Sequence, residues 1–282
     1  MNCVEDPLRF VCAQEALFGI LARPEQASEL GIIVIVGGPQ TRVGSHRQFV
    51  LLARHLAAAG YPTLRFDYRG MGDSTGEQRS FEAITPDIAA AVDRLQAACP
   101  SVKRIVLWGL CDAASAALLY FDAAQDLRIA GLCLLNPWVR SEATLAKTQV
   151  KHYYGQRLLQ REFWIKLISG RMNILGALGE LLRKLGQTQA APHASTPTPG
   201  FQERMARGWR SFPGRILLIL SGDDYTTKEF LEYAGTNPAW DGLLNSSRCL
   251  RVDIAEADHT FSSNDWRKRV ENACLDWLNS HA

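Results

Sequence analysis

Three residues that could carry acyl transfer stand at the ends of apolar runs in this sequence: a cysteine, an aspartate and a histidine. Cys111 lies in Gly109-Leu110-Cys111-Asp112-Ala113, where the run VKRIVLWG breaks at glycine and turns into the helix-forming stretch CDAASAALLYFDAA. A nucleophile on a strand-to-helix corner needs small residues two before and two after it, because the two backbones close on each other there. Gly109 and Ala113 meet that need. The helix N-terminus favours the reactive thiolate, and the neighbouring negative charge of Asp112 opposes it. On this motif alone, a small buried side chain in a tight turn is the competing reading.

An orienting carboxylate could come from Asp223 or Asp224, in the Ser-Gly-Asp-Asp that ends the run ILLIL. Aspartate also caps helices and closes Asx-turns, and the two residues could divide these duties. His259, in EADHTFS, follows the last apolar run and precedes the last helical stretch. The other histidines are His46, His55, His152, His193 and His281, and none follows a late strand in this way. The chain order Cys111, Asp224, His259 is that of nucleophile, acid and base in one widespread hydrolytic architecture. An oxyanion would need main-chain donors. Asp112, the residue after the nucleophile, supplies one. Pro39 has no N–H, so Gly38 or Gln40 of Gly37-Gly38-Pro39-Gln40 must supply the other. Arg42, His46 and Arg47 lie just beyond and could hold an anionic substrate group, or be exposed residues at a helix start.

The elements that must position these groups follow from periodicity. GIIVIVGGPQ reads as a strand buried on both faces. SHRQFVLLARHLAAAG reads as an amphipathic helix capped by Ser45 and ended by Gly60. Strands at YPTLRFDYRG, VKRIVLWG, IAGLCLLNPW, GRILLILSGDD and SRCLRVDIAEADH alternate with helices at SFEAITPDIAAAVDRLQAACP, CDAASAALLYFDAA, TTKEFLEYAG and DWRKRVENACLDWLNS. LRFVCAQEALFGILARP reads as a leading antiparallel hairpin. The alternation predicts an α/β fold, a mostly parallel central sheet with helices on both faces. Residues 1–137 and 213–282 form its core. The rhythm breaks over 138–212, which predicts a helical lid insertion containing a flexible Pro-rich loop, QTQAAPHASTPTPG. Its Trp138, Tyr153, Tyr154, Phe163 and Trp164 could close over an apolar acyl chain, pack on the sheet or touch a membrane surface.

Bulk properties narrow the function classes. The chain has 282 residues, 47% of them hydrophobic, enough for a substantial core. A net charge of +2, from 31 basic and 29 acidic residues, argues against nucleic acid as a partner. No run is long and apolar enough for a transmembrane helix, and the first residues lack the marks of a signal peptide. Seven cysteines without a CxxC pair argue against a zinc knuckle, and no metal or other cofactor is expected. A reducing cytoplasm is the expected compartment. No G-x-G-x-x-G follows the early strands, which counts against a dinucleotide-dependent oxidoreductase.

At these residues the chain resembles the alpha/beta-hydrolase superfamily. FDYRGMGDS resembles the family's D-x-R-G-x-G-x-S turn, GLCDAA its nucleophile elbow and ADHTFS its histidine loop. In that first motif a direct catalytic part for Arg69 or Asp73 is not expected, because its glycines suit a tight loop. More narrowly, VGGPQTRVGSHRQF, GLCDAASAA and SGDDYTTKEF resemble the exosortase A system-associated hydrolase 1 group, bacterial proteins that accompany the exosortase and PEP-CTERM sorting system. The resemblance implies Cys111 as nucleophile, His259 as base, and Asp224 rather than Asp223 as acid. It departs from the commoner serine, although dienelactone hydrolases of the same superfamily also use a thiol. The implied substrate is a small-molecule acyl ester or thioester. An acyltransferase with the same triad and a non-catalytic scaffold with a relic elbow are the rivals.

Overall fold

In the apolar runs, alternate residues face opposite ways, and both sides are hydrophobic. Such strands are stable only between two layers of helix. In the computed structural model, which describes residues 3–140 and 199–280, they form one eight-stranded sheet in the order β1-β2-β4-β3-β5-β6-β7-β8. The strands are β1 (Cys3–Cys12), β2 (Glu15–Pro24), β3 (Leu30–Ile35), β4 (Thr63–Asp67), β5 (Arg104–Leu110), β6 (Ile129–Leu135), β7 (Arg215–Ser221) and β8 (Cys249–Ile254). β1 and β2 pair antiparallel across a two-residue turn with positive φ at Ala13 and Gln14, the turn whose twist suits a hairpin. β2 meets β4 antiparallel, and from β4 to β8 every pairing is parallel.

The helices are α1 (Gln48–Ala58), α2 (Thr85–Ala98), α3 (Asp112–Ala124), α4 (Phe201–Ser211), α5 (Tyr225–Thr236) and α6 (Asn264–Asn279). On one face Ile32, Val34, Trp108 and Ile219 pack with Phe49 and Leu52 of α1 and Cys274 and Trp277 of α6. On the other, Ile33, Ile35, Leu107 and Leu218 pack with Ile88 of α2, Leu118 of α3, Trp209 of α4 and Phe230 of α5. Adjacent residues of β3 and β5 thus serve opposite layers.

Two expectations change. Ser45 does not cap α1. Residues Ser45–Arg47 make a tight 3₁₀ turn, with His46 and Arg47 at positive φ, and α1 begins at Gln48 with no side-chain cap. The Ser45 N–H is instead donated to Gln40 Oε1 at 3.2 Å. Second, residues 201–211, expected inside the insertion, form α4 against α3, so closely that a Cβ on Gly208 would stand 2.3 Å from the Leu118 carbonyl oxygen. With sheet on one side and α4 on the other, α3 is buried continuously from Ala113 to Phe121, which explains its alanine-rich sequence. The rest of the expected lid, residues 141–198, lies outside the described residues. Among the described residues no helix is long and apolar enough to cross a membrane.

Trp209 is fully buried and meets Trp240 edge to face at 5.7 Å. Trp209→Ala should lower unfolding stability by about 3–5 kcal/mol through lost burial and the residual cavity. Urea denaturation checks this, and an unchanged midpoint contradicts the place given to α4.

Candidate active site

β5 runs straight into α3 with no loop between them, and the one residue at the corner carries the geometry. Cys111 has φ 62°, ψ −125°, a backbone conformation that side chains other than glycine's rarely take. Its N–H is donated to Leu135 O at 2.8 Å, and its carbonyl accepts the N–H of Ala114 at 3.1 Å. The corner is so tight that a Cβ on Gly109 would lie 2.5 Å from the Ala113 carbonyl carbon and oxygen, so position 109 must be glycine. Ser115 braces the same turn. Its hydroxyl is donated to Trp138 O at 2.7 Å.

The two candidate carboxylates differ in their contacts. Asp224 Oδ2 lies 2.8 Å from His259 Nδ1, whereas Asp223 is exposed and donates its N–H to Ala257 O. Asp224 is also the N-cap of α5, and its carboxylate accepts the N–H groups of Thr226 at 3.0 Å and Thr227 at 3.3 Å and the Thr227 hydroxyl at 3.2 Å. Burial would raise this carboxyl, but His259 and the helix amides outweigh it and hold it below the ordinary carboxylate range. His259, on the loop after β8, hydrogen-bonds Asp224 and lies near enough to Cys111 for the sulfur to bear on its ionisation. Asp224 first, and then Cys111, push its pKa up to about 10 against the desolvation of its ring. A sulfur, an imidazole and a carboxylate are therefore lined up at three strand ends, the imidazole and the carboxylate hydrogen-bonded at 2.8 Å. Such a line can move a proton off the thiol and stabilise the resulting imidazolium.

Residues the sequence did not single out hold this line in place. Asn136, buried at the end of β6 with φ 44°, donates to Ser221 Oγ at 2.8 Å and to His259 O at 3.1 Å. Its Oδ1 accepts the Ser221 N–H and the Thr227 hydroxyl, both at 2.9 Å. It thus ties the histidine loop to the groups around the acid. Asp258 folds that loop by accepting the N–H groups of Thr260 and Ser262. An Asx-turn signature is visible in Asp-His-Thr; nothing local marks the Asn of LLNPW.

The remaining expected residues divide. Asp112 and Gly38 are brought together, with the Gly38 N–H donated to Asp112 Oδ2 at 2.9 Å. Gln40 spends its side-chain carbonyl on Ser45. Arg42, which could have held a substrate anion or stood exposed at a helix start, is instead ion-paired with Asp67 and Asp73, because those carboxylates of the DYRGMGDS loop lie within its reach. That loop is structural at its other charges too, with Arg69 held by buried Asp87 through one main-chain and two side-chain hydrogen bonds. His46 and Arg47 are exposed at the 3₁₀ turn, in keeping with the helix-start alternative. Among the described residues no cluster of His, Cys, Asp and Glu could hold a metal ion.

Comparison with known proteins agrees with this architecture. The family profile described as alpha/beta hydrolase family matches residues 32–271. No match to a curated protein was found. The Pyrococcus furiosus esterase Pf2001 superposes with a TM-score of 0.62 at 15% identity, over 97% of this chain and 93% of that one. An alpha/beta serine hydrolase homologue from Coxiella burnetii gives 0.57 at 16% identity, over 95% and 96%. A serine hydrolase without lid from Xanthomonas campestris gives 0.56 at 15%, over 97% and 94%.

Two outcomes follow. Folded His259 holds its proton above the ordinary value of 6.5, so its pairing with Asp224 stabilises the fold fully below that pH and loses this contribution as pH rises through about 10. Asp224→Asn, which keeps a capping side chain, should bring the His259 NMR titration midpoint down. It should also destabilise the protein more near pH 6 than above pH 10; a pH-independent effect contradicts the ion pair. Asn136→Ala should cost about 2–4 kcal/mol in denaturant unfolding by leaving buried partners unpaired, and a neutral result contradicts its place as a hub.

Proposed function

This chain belongs to the alpha/beta hydrolase family, and from that premise we propose that it cleaves an ester or thioester bond through an acyl-thioenzyme, with Cys111 as nucleophile, His259 as base and Asp224 as orienting acid. The observation that carries the reading is the 2.8 Å hydrogen bond between Asp224 and His259 at the same strand ends where Cys111 stands on a strained strand-to-helix corner, near enough to bias the ionisation of His259. Serine hydrolases are among the structures similar to this chain; a thiol in the nucleophile position is the better nucleophile once its proton is lost.

The Cys111 proton is carried by His259, whose imidazolium Asp224 stabilises, and the sulfur reacts as the thiolate. The sulfur forms a bond to the substrate carbonyl carbon, and the carbonyl π pair moves onto oxygen. Main-chain N–H groups at Asp112 and in the Gly38–Gln40 turn stabilise that oxyanion. When the pair returns, the bond to the leaving alcohol or thiol breaks, and His259 gives its proton to the leaving group. Water, deprotonated by His259 in its turn, then attacks the thioester, and Cys111 leaves with the carboxylic acid released. Another nucleophile in place of water would make the same site an acyltransferase. The substrate is a small acyl compound. The assignment to the exosortase A system-associated group rests on the three sequence stretches that resemble it, and a cytoplasmic location on the absence of disulfides among seven free cysteines.

Turnover of para-nitrophenyl butyrate tests the reading. Cys111→Ala should abolish it, and His259→Ala should lower it by about 10²- to 10⁴-fold, both with an unchanged circular dichroism spectrum. Equal turnover by Cys111→Ala and the wild type defeats the proposal.

A further inference from the structure

The oxyanion of this reaction needs two main-chain donors, and in the resting site one is already engaged. The Gly38 N–H points at the Asp112 carboxylate, Oδ2 accepting at 2.9 Å. The other oxygen, Oδ1, is buried without a hydrogen-bond partner. It is pressed against Gly37, where a Cβ would stand 2.2 Å from it. Position 37 must therefore be glycine for the carboxylate to sit where it does. Asp112 is also the residue whose own N–H is the expected second donor. The molecule thus holds a carboxylate of its own against the amide that a transition-state oxyanion would use, one residue from the nucleophile.

Two consequences are electrostatic. The substrate carbonyl can use the Gly38 amide only when Asp112 Oδ2 gives it up. A further negative charge near the reacting carbon would face a fixed like charge in a partly desolvated pocket, where water screens it little. We propose, on the hydrolase reading above, that Asp112 is the specificity-determining residue of the site: its carboxylate selects neutral or cationic acyl esters and thioesters and rejects acyl groups that carry an anion near the scissile carbonyl.

The surroundings are consistent with a charge that matters here. Burial pushes the Asp112 carboxyl above the ordinary carboxylate range, with the amides of Gly38, Ala113 and Asp112 itself, and then the charge of His259, opposing that rise. Tyr68, whose hydroxyl is pushed up to about 12 by burial and then by Asp112, faces it from the end of β4. The Gly37–Gly38 turn brings no titratable group; Cys111 is the preceding residue, and the charge of His259 reaches the carboxylate.

The test is single-turnover acylation followed by intact-protein mass, with two para-nitrophenyl esters of similar size. One carries a neutral pentanoyl group and the other a sulfopropanoyl group, whose charge does not titrate. Wild type should acylate faster with the neutral ester, and Asp112→Asn, nearly isosteric and uncharged, should shrink that preference by at least about tenfold. In wild type alone the preference should also narrow as pH falls and Asp112 takes a proton. The need for a reactive Cys111 and His259 is common to both esters, and the same pH series on Asp112→Asn separates the share of the narrowing that belongs to Asp112. A preference unchanged in Asp112→Asn or flat with pH overturns this inference and leaves the hydrolase reading intact. No acylation by either ester, with iodoacetamide still alkylating Cys111, defeats the hydrolase reading and this inference with it.

Discussion

The backbone of Cys111 is the constraint from which the rest of the structure follows. A non-glycine residue at φ 62°, ψ −125° costs on the order of 1–3 kcal/mol and persists only where its surroundings leave no alternative. Here the surroundings are specific. β6 accepts the Cys111 N–H, α3 takes its carbonyl, Gly109 has no Cβ to collide with Ala113, and Ser115 fastens the corner to Trp138. The return for this strain is placement. The side chain leaves the pleat of β5 and stands beyond the sheet's carboxyl edge, where open parallel sheets collect groups from neighbouring strands.

The second partner of that arrangement is a buried polar network. Asn136, Ser221, Thr227 and Asp224 saturate one another at the ends of β6 and β7, and Asn136 reaches on to the main chain of His259. In a low-dielectric setting such a network strengthens each of its bonds, and it penalises the loss of any one. It fixes the distance between acid and base without either depending on the mobility of a long loop. The same economy recurs in Asp224, which is at once the cap of α5 and the partner of His259. The sequence leaves the cap and the histidine partner open between two aspartates; one residue, Asp224, makes both contacts.

Much of this was legible in the sequence because it rests on local pattern. β-branched runs ended by glycine gave the parallel strands, and Gly109 and Ala113 around Cys111 gave the corner. Their positions at strand ends gave the chain order of the three site residues. What escaped depends on contacts between distant segments. Asn136 is one polar residue after a strand, and its value comes from Ser221, Thr227 and His259, which lie 85 to 123 residues away. Arg42 read as a free cation until Asp67 and Asp73 closed on it. α4 read as part of an insertion because its sequence follows a Pro-rich stretch; its burial on α3 shows only in three dimensions. The engagement of Gly38 by Asp112, 74 residues on, is of the same kind.

The most direct measurement is where an acyl group lands. The protein, mixed briefly with an activated ester and quenched in acid, is digested and its peptides are mapped by mass. The account predicts the acyl group on the peptide containing Cys111, and its absence from that peptide in His259→Ala. An adduct on another cysteine or on a serine, or turnover with no covalent species at Cys111 under conditions that trap one in other thiol esterases, would contradict it.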